Sequence, residues 1–170
     1  ETRELLAVLS RAVDDSAAGG GPALGALDAL LADGDEEQAL RSALAWALSE
    51  ATPDDVARLT AALDAAASET TASEGTGAPF GKEVAVLRAA ASDFPGDRGL
   101  FVALLMNLVV LRRGEALFAP AGVLHAYQSG LGVELMAASD NVLRGGLTPK
   151  HVDVPELLRI VDAVPGPAPI

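Results

Sequence analysis

The hydrophobic period of this chain changes near Asn107, and that change most limits the folds open to it. Upstream, apolar residues recur every three to four positions, the spacing of a helix face. "DEEQALRSALAWALSE" sets Leu40, Leu44 and Leu48 on one stripe with Ala43 and Ala47 beside them. "TPDDVARLTAALDAAASE" begins with Thr52 as N-cap, Pro53 at the first helical position and Asp55 three residues after the cap. Its stripe is Val56, Leu59, Leu63 and Ala66. Further helices are expected over residues 2–13, 23–32 and 80–92, with a short one from Leu100 to Met106 after the turn "FPGDRG".

Downstream the apolar residues alternate. "NLVVLRRGEALFAP" reads as two β-segments joined at Arg113-Gly114, and "HAYQSGLGVELMAAS" as two more, broken by Gly130 and Gly132. "DVPELLRIVD" returns to a short helix with Pro155 near its start. Short strands punctuated by glycine point to part of a β-sandwich or jelly roll. The expected fold class is therefore α+β, a helical layer followed by part of a jelly roll. The domains expected are a helical unit over residues 1–78 and a partial jelly roll over residues 79–170, linked by "SETTASEGTGAP".

Charge and composition narrow the function. The formal net charge is −12, and residues 1–78 hold 15 acidic against 4 basic side chains. Residues 79–170 hold 9 against 8, so the second half is nearly neutral. A field of this sign repels nucleic acid and anionic membranes, and an anionic ligand would need local attraction in the second half. The absence of cysteine removes disulfides and thiolate metal sites and favours a reducing compartment. The apolar block "LFVALLMNLVVL" is too short to span a bilayer, and "ETRELLAVLSRAV" lacks the form of a secretion signal. A soluble, cytoplasmic protein is the expectation, with neither nucleic acid nor membrane as partner.

Polar chemistry gathers between Pro120 and Val154, a stretch that holds both histidines of the chain. His125 follows a "PAG" turn and enters a β-segment, where it can aim at a barrel mouth as a metal ligand. No second histidine or cysteine stands at ligand spacing, so the motif itself does not decide. His151, beside Lys150, reads as a surface or hydrogen-bonding histidine. Glu134 lies between Val133 and Leu135 in an apolar run, facing either solvent or a site. Asp140-Asn141 is a turn signal, and a turn suffices to explain both. Arg144-Gly145-Gly146 places a guanidinium beside flexible backbone, suited to a phosphate or oxyanion; Lys150 adds a second cation. The alternative is a solvated charge pair on a loop. No dinucleotide, P-loop or nucleophile-elbow motif occurs.

These stretches, "FPGDRG", "GEALFAPAGVLHAY" and "GVELMAASDNVLRGGLTPKHVDVPELL", resemble type I mannose-6-phosphate isomerases, zinc enzymes of the cupin superfamily. The likeness is dense from Phe94 to Asp162, while residues 1–78 resemble only the family's variable helical insertion, in texture and position. The resemblance implies interconversion of mannose 6-phosphate and fructose 6-phosphate through an enediol, with zinc as cofactor and a hexose 6-phosphate as substrate. It implies that His125 is a zinc ligand, that Arg144 is catalytic, and that Glu134 and Asp140 serve catalysis. It implies Lys150 for substrate binding. The family's other zinc ligands, a glutamine, a second histidine and a glutamate, have no matching motif here. The chain is therefore expected to be a central fragment, inactive alone, with the flanking segments of its parent as partners. The alternative is a non-catalytic helical–cupin binding or assembly module, or a sensor that holds the sugar phosphate without turnover.

Overall fold

A computed structural model describes residues 2–15, 22–72, 79–138 and 141–168. Among them the chain forms α1 (Thr2–Asp15), α2 (Pro22–Ala32), α3 (Glu36–Ser49), α4 (Pro53–Ala72), α5 (Gly81–Asp93), α6 (Gly99–Leu104) and α7 (Val154–Ile160). Their ends are set locally. Asp35 Oδ1 accepts the Gln38 N–H at 2.9 Å and opens α3. At α4, Thr52 Oγ1 accepts the Asp55 N–H at 3.2 Å, and Asp55 Oδ2 accepts the Thr52 N–H at 2.8 Å. This reciprocal pair is a capping box with aspartate in the distal position.

The box has a pH signature. Hydrogen bonds from the Thr52 backbone and then its hydroxyl hold the Asp55 carboxyl below its ordinary 3.8. A carboxylate whose pKa is depressed by folding stabilises the fold above its unfolded pKa and loses that contribution as pH falls through the folded one. Thr52→Ala should therefore cost about 1 kcal/mol at pH 7, and the deficit should shrink below pH ~4. Urea titrations of both proteins across pH 2–7 would check this; a deficit independent of pH would contradict it.

The helical core is built from the stripes. Val56, Leu59, Leu63 and Ala66 of α4 are all buried. They face α1, where Leu5, Leu6, Leu9 and Ala12 are buried, and α5, where Val84, Leu87 and Ala91 are. Helix α3 packs on α2, α6 and α7. Although α6 has 6 residues, Gly99, Leu100, Phe101, Val102 and Leu104 are buried in it. Phe101 meets the edge of Trp46 from α3, with ring centroids 5.1 Å apart and planes at 78°. The preceding turn is tied down as well: Arg98 Nη1 donates to the carbonyls of Leu48 at 3.2 Å and Ser49 at 3.4 Å, at the C-terminus of α3. A cation there satisfies carbonyls left without helical partners and opposes the negative end of the helix dipole.

The α+β expectation fails in the second half. No strand forms among the described residues, so the part of a cupin-type jelly roll expected from about Asn107 onward is not found. Residues 107–138 run as irregular backbone with turns and bends. The Arg113-Gly114 turn does form: the Glu115 N–H donates to Arg112 O at 3.0 Å, with Gly114 at φ 92°. The flanking segments do not pair across it. Alternation dictates which side chains share a face, but a strand exists only where a neighbour completes its backbone hydrogen bonds. Without that neighbour both faces stay in solvent, and Val133 and Leu135 are 93% and 95% exposed.

Such a run of exposed Leu, Val and Met is larger than an isolated surface residue needs to explain. The chain should self-associate above micromolar concentration, and Val133→Lys with Leu135→Lys should reduce that association in sedimentation velocity runs. Unchanged sedimentation of the double variant would place the association elsewhere.

Candidate functional site

Three of the polar side chains come together. His125 and Tyr127 are two residues apart and lie side by side. Their rings lie edge to face, centroids 6.1 Å apart. The bend at Ser129-Gly130 returns the chain, and Glu134 comes within 3.8 Å of His125 Nε2. That distance exceeds a hydrogen bond and makes an ion pair only when the imidazole is protonated. His125 Nδ1 lies 3.1 Å from Val123 O, an atom that can only accept. The neutral ring therefore carries its proton on Nδ1 and turns the lone pair of Nε2 toward Glu134. An imidazole held this way suits a base or a metal ligand.

Tyr127 is a member that sequence reasoning missed. The signal was present, since residue 127 shares a face with residue 125 in any extended segment. The Tyr127 pKa is raised above the ordinary 10.0, first by interaction of its hydroxyl with the Glu134 carboxylate, then by desolvation and by the charge of that carboxylate. Because the chain has one tyrosine, its phenolate absorbance can be titrated directly. Glu134→Gln should bring that titration back toward pH 10. An unmoved curve would separate Tyr127 from Glu134.

The remaining candidates are placed differently. Arg144 is half-buried and precedes Gly145 and Gly146 (φ 110°). Among the described residues no hydrogen bond or ion pair joins the Arg144 or Lys150 side chain to His125, Tyr127 or Glu134. The segment of Arg144 nonetheless runs beside that of His125: a β-carbon on Gly145 would stand 3.3 Å from Leu124 Cδ2. Lys150 is exposed, its backbone N–H donating to Thr148 Oγ1 at 3.2 Å. His151 is exposed too. Asp140 lies outside the described residues.

The described residues do not by themselves complete a zinc site. Among the described residues no three His, Cys, Asp or Glu side chains gather as a metal would require. His125 and Glu134 make two donors, whereas a catalytic zinc takes three from protein. A groove of about 320 Å³ between α1, α5 and residues 106–110 is lined by none of the candidate residues and does not belong to the site. No described helix is long and apolar enough to cross a membrane.

No protein-family model matches the chain, and no solved structure does. Curated proteins do. The mannose-6-phosphate isomerase of Salmonella typhimurium is 51% identical over 82 residues, which are 48% of this chain and 21% of that protein. That of Escherichia coli is 53% identical over 75 residues, 44% of this chain and 19% of the relative. The human protein of the same name is 50% identical over 72 residues, 42% of this chain and 17% of its own length. The match thus spans about a fifth of each relative. Over nearly half of its length, this chain is similar to a segment of proteins named mannose-6-phosphate isomerase.

Proposed function

We propose that this chain supplies part of the active site of an aldose–ketose isomerase acting on mannose 6-phosphate and fructose 6-phosphate. The observation that carries the reading is identity near one half with proteins named for that reaction, over 72 to 82 residues. The chemistry asks for three things. A base takes the proton from C2 of the aldose and returns it to C1. The C1 carbonyl becomes a hydroxyl while the C2 hydroxyl becomes a carbonyl. A cation steadies the enediolate between these steps.

Residues of this chain fit those tasks. The guanidinium of Arg144 is the enediolate stabiliser, worth most when the negative charge develops. Glu134, beside the Tyr127 hydroxyl and the Nε2 lone pair of His125, orients the sugar hydroxyls or assists proton transfer. Asp140 takes the same role by its place in the motif. Lys150 supplies a point charge for the 6-phosphate, which the near-neutral second half does not repel. His125 is the residue proposed for zinc, with the remaining donors drawn from beyond the described residues. No step is assigned to the metal. A reducing cytoplasm is the proposed compartment, consistent with the lack of cysteine.

The test uses the Escherichia coli relative. Its matching 75-residue segment is replaced by that of this chain, and the chimera is assayed for conversion of mannose 6-phosphate to fructose 6-phosphate. Turnover within about tenfold of the parent is expected, a difference of 1.4 kcal/mol in the barrier. A folded but inactive chimera would overturn the reading, and binding of sugar phosphate without turnover would favour a sensor.

A further inference from the structure

The segment that carries Arg144 meets the short helix α6 at a glycine contact that leaves no room for a side chain, and the same segment lies against the one that carries His125. A β-carbon on Gly99, the first residue of α6, would stand 2.6 Å from Leu147 N and 2.7 Å from Gly146 Cα. One on Gly146 would stand 2.5 Å from Gly99 Cα and 3.0 Å from Asp97 Oδ1. Two backbones therefore cross at contact distance, 47 residues apart in sequence. Three residues further along α6, Val102 reaches the Arg144 segment again: a β-carbon on Gly145 would stand 3.8 Å from Val102 Cγ1 and 3.3 Å from Leu124 Cδ2. Leu124 is the neighbour of His125, and Gly145 the neighbour of Arg144.

Helix α6 is itself held from behind. Phe101 packs on Trp46, Arg98 is bonded to the end of α3, and Asp97 Oδ1 accepts the Gly99 N–H at 2.7 Å. Each tie is a buried or helix-terminal contact rather than a loose surface pair. The next-neighbour geometry then passes outward. Gly146 (φ 110°) and Leu147 (φ 51°) both stand in the left-handed region, so the chain past Arg144 turns sharply where it touches α6. A non-glycine residue with positive φ is uncommon and persists where its surroundings over-determine it.

We infer that α6, through Gly99 and Val102, is a platform that fixes the Arg144 segment and, through the contact of Gly145 with Leu124, the His125 segment, making Gly99 and Val102 positioning residues. The inference rests on the isomerase reading only in taking His125 and Arg144 as the groups to be positioned. Neither Gly99 nor Val102 touches a reacting atom. Their part is to set a separation, and a misplacement near 1 Å at a reacting centre costs on the order of 10² in rate.

Two measurements decide it. In NMR spectra of the 170-residue chain, crosspeaks from Gly99 Hα to Gly146 Hα and from Leu124 methyls to Gly145 Hα are expected. Gly99→Ala should abolish the second as well as the first while leaving the Leu59 and Leu63 methyl signals of α4 in place. If Leu124–Gly145 survives in that variant, the platform is overturned. Should Gly99→Ala melt the chain altogether, the smaller change Val102→Ala gives the same comparison, with loss of the Gly99–Gly146 crosspeak not expected and loss of Leu124–Gly145 expected. Retention of Leu124–Gly145 there would again overturn it. In the chimera, Gly99→Ala and Val102→Ala should lower kcat by about 10–10² with little change in KM, and Val102→Ile should keep most of the rate. A KM effect alone would make the role merely structural. An inactive unsubstituted chimera would count against the isomerase reading, and the crosspeaks would still decide the platform.

Discussion

Phe101→Ala should lower the stability of the chain by about 3–5 kcal/mol, the range for deleting a buried aromatic ring. For a protein of this size that corresponds to a fall in Tm of roughly 6–20 °C. The ring is fully buried and stands at the junction of α3 and α6, edge-on to Trp46. Its removal leaves a cavity that α6 cannot fill, because a helix of 6 residues held at Gly99 by backbone contact has little freedom to shift. Trp46 is the sole tryptophan, so urea unfolding followed by its fluorescence reports both the loss of the ring contact and the midpoint. Phe101→Leu should recover much of the loss by refilling volume. A loss below about 1 kcal/mol would mean that α6 is not anchored to the helical core and cannot serve as a platform.

The helices were legible because their causes are local. Thr52 and Asp55, Asp35 and Gln38, and Asp153 with the Glu156 N–H at 3.1 Å each close a helix end within three residues. The stripe of Val56, Leu59 and Leu63 needs only the period of the helix to be read. The error in the second half has the opposite cause. Alternation in "GVELM" states which residues share a face, but pairing depends on a neighbouring segment that no period encodes. "FPGDRG" read as a turn and "RGG" as a flexible clamp, and each description was local. Their meeting, glycine on glycine, is a long-range fact. Within the candidate site, His125 and Glu134 approach each other across the bend at Ser129-Gly130. Tyr127, two residues from His125, is placed by the same rule of two.

Arg144→Ala, made in the chimera, should lower kcat by about 10²–10³ while changing KM for mannose 6-phosphate little. The reason lies in when the charge appears. A neutral carbonyl and hydroxyl in the bound sugar give the guanidinium little to hold, whereas the enediolate carries a full negative charge. Loss of that interaction is felt in the transition state and scarcely in the bound substrate. Lys150→Ala should divide the other way. The 6-phosphate is charged throughout, so its partner binds substrate and transition state alike, and losing a charge-assisted hydrogen bond should raise KM roughly 10–10² with kcat nearly kept. Arg144→Lys separates charge from shape: a point charge on a flexible stem should restore only part of the rate, because the planar fork spans two oxygens and the ammonium does not. Steady-state kinetics of the three variants, with circular dichroism to confirm that each is folded, would check the division. A rise in KM for Arg144→Ala with kcat intact would move the arginine from the reacting carbons to the phosphate, and the roles of Arg144 and Lys150 would have to be exchanged.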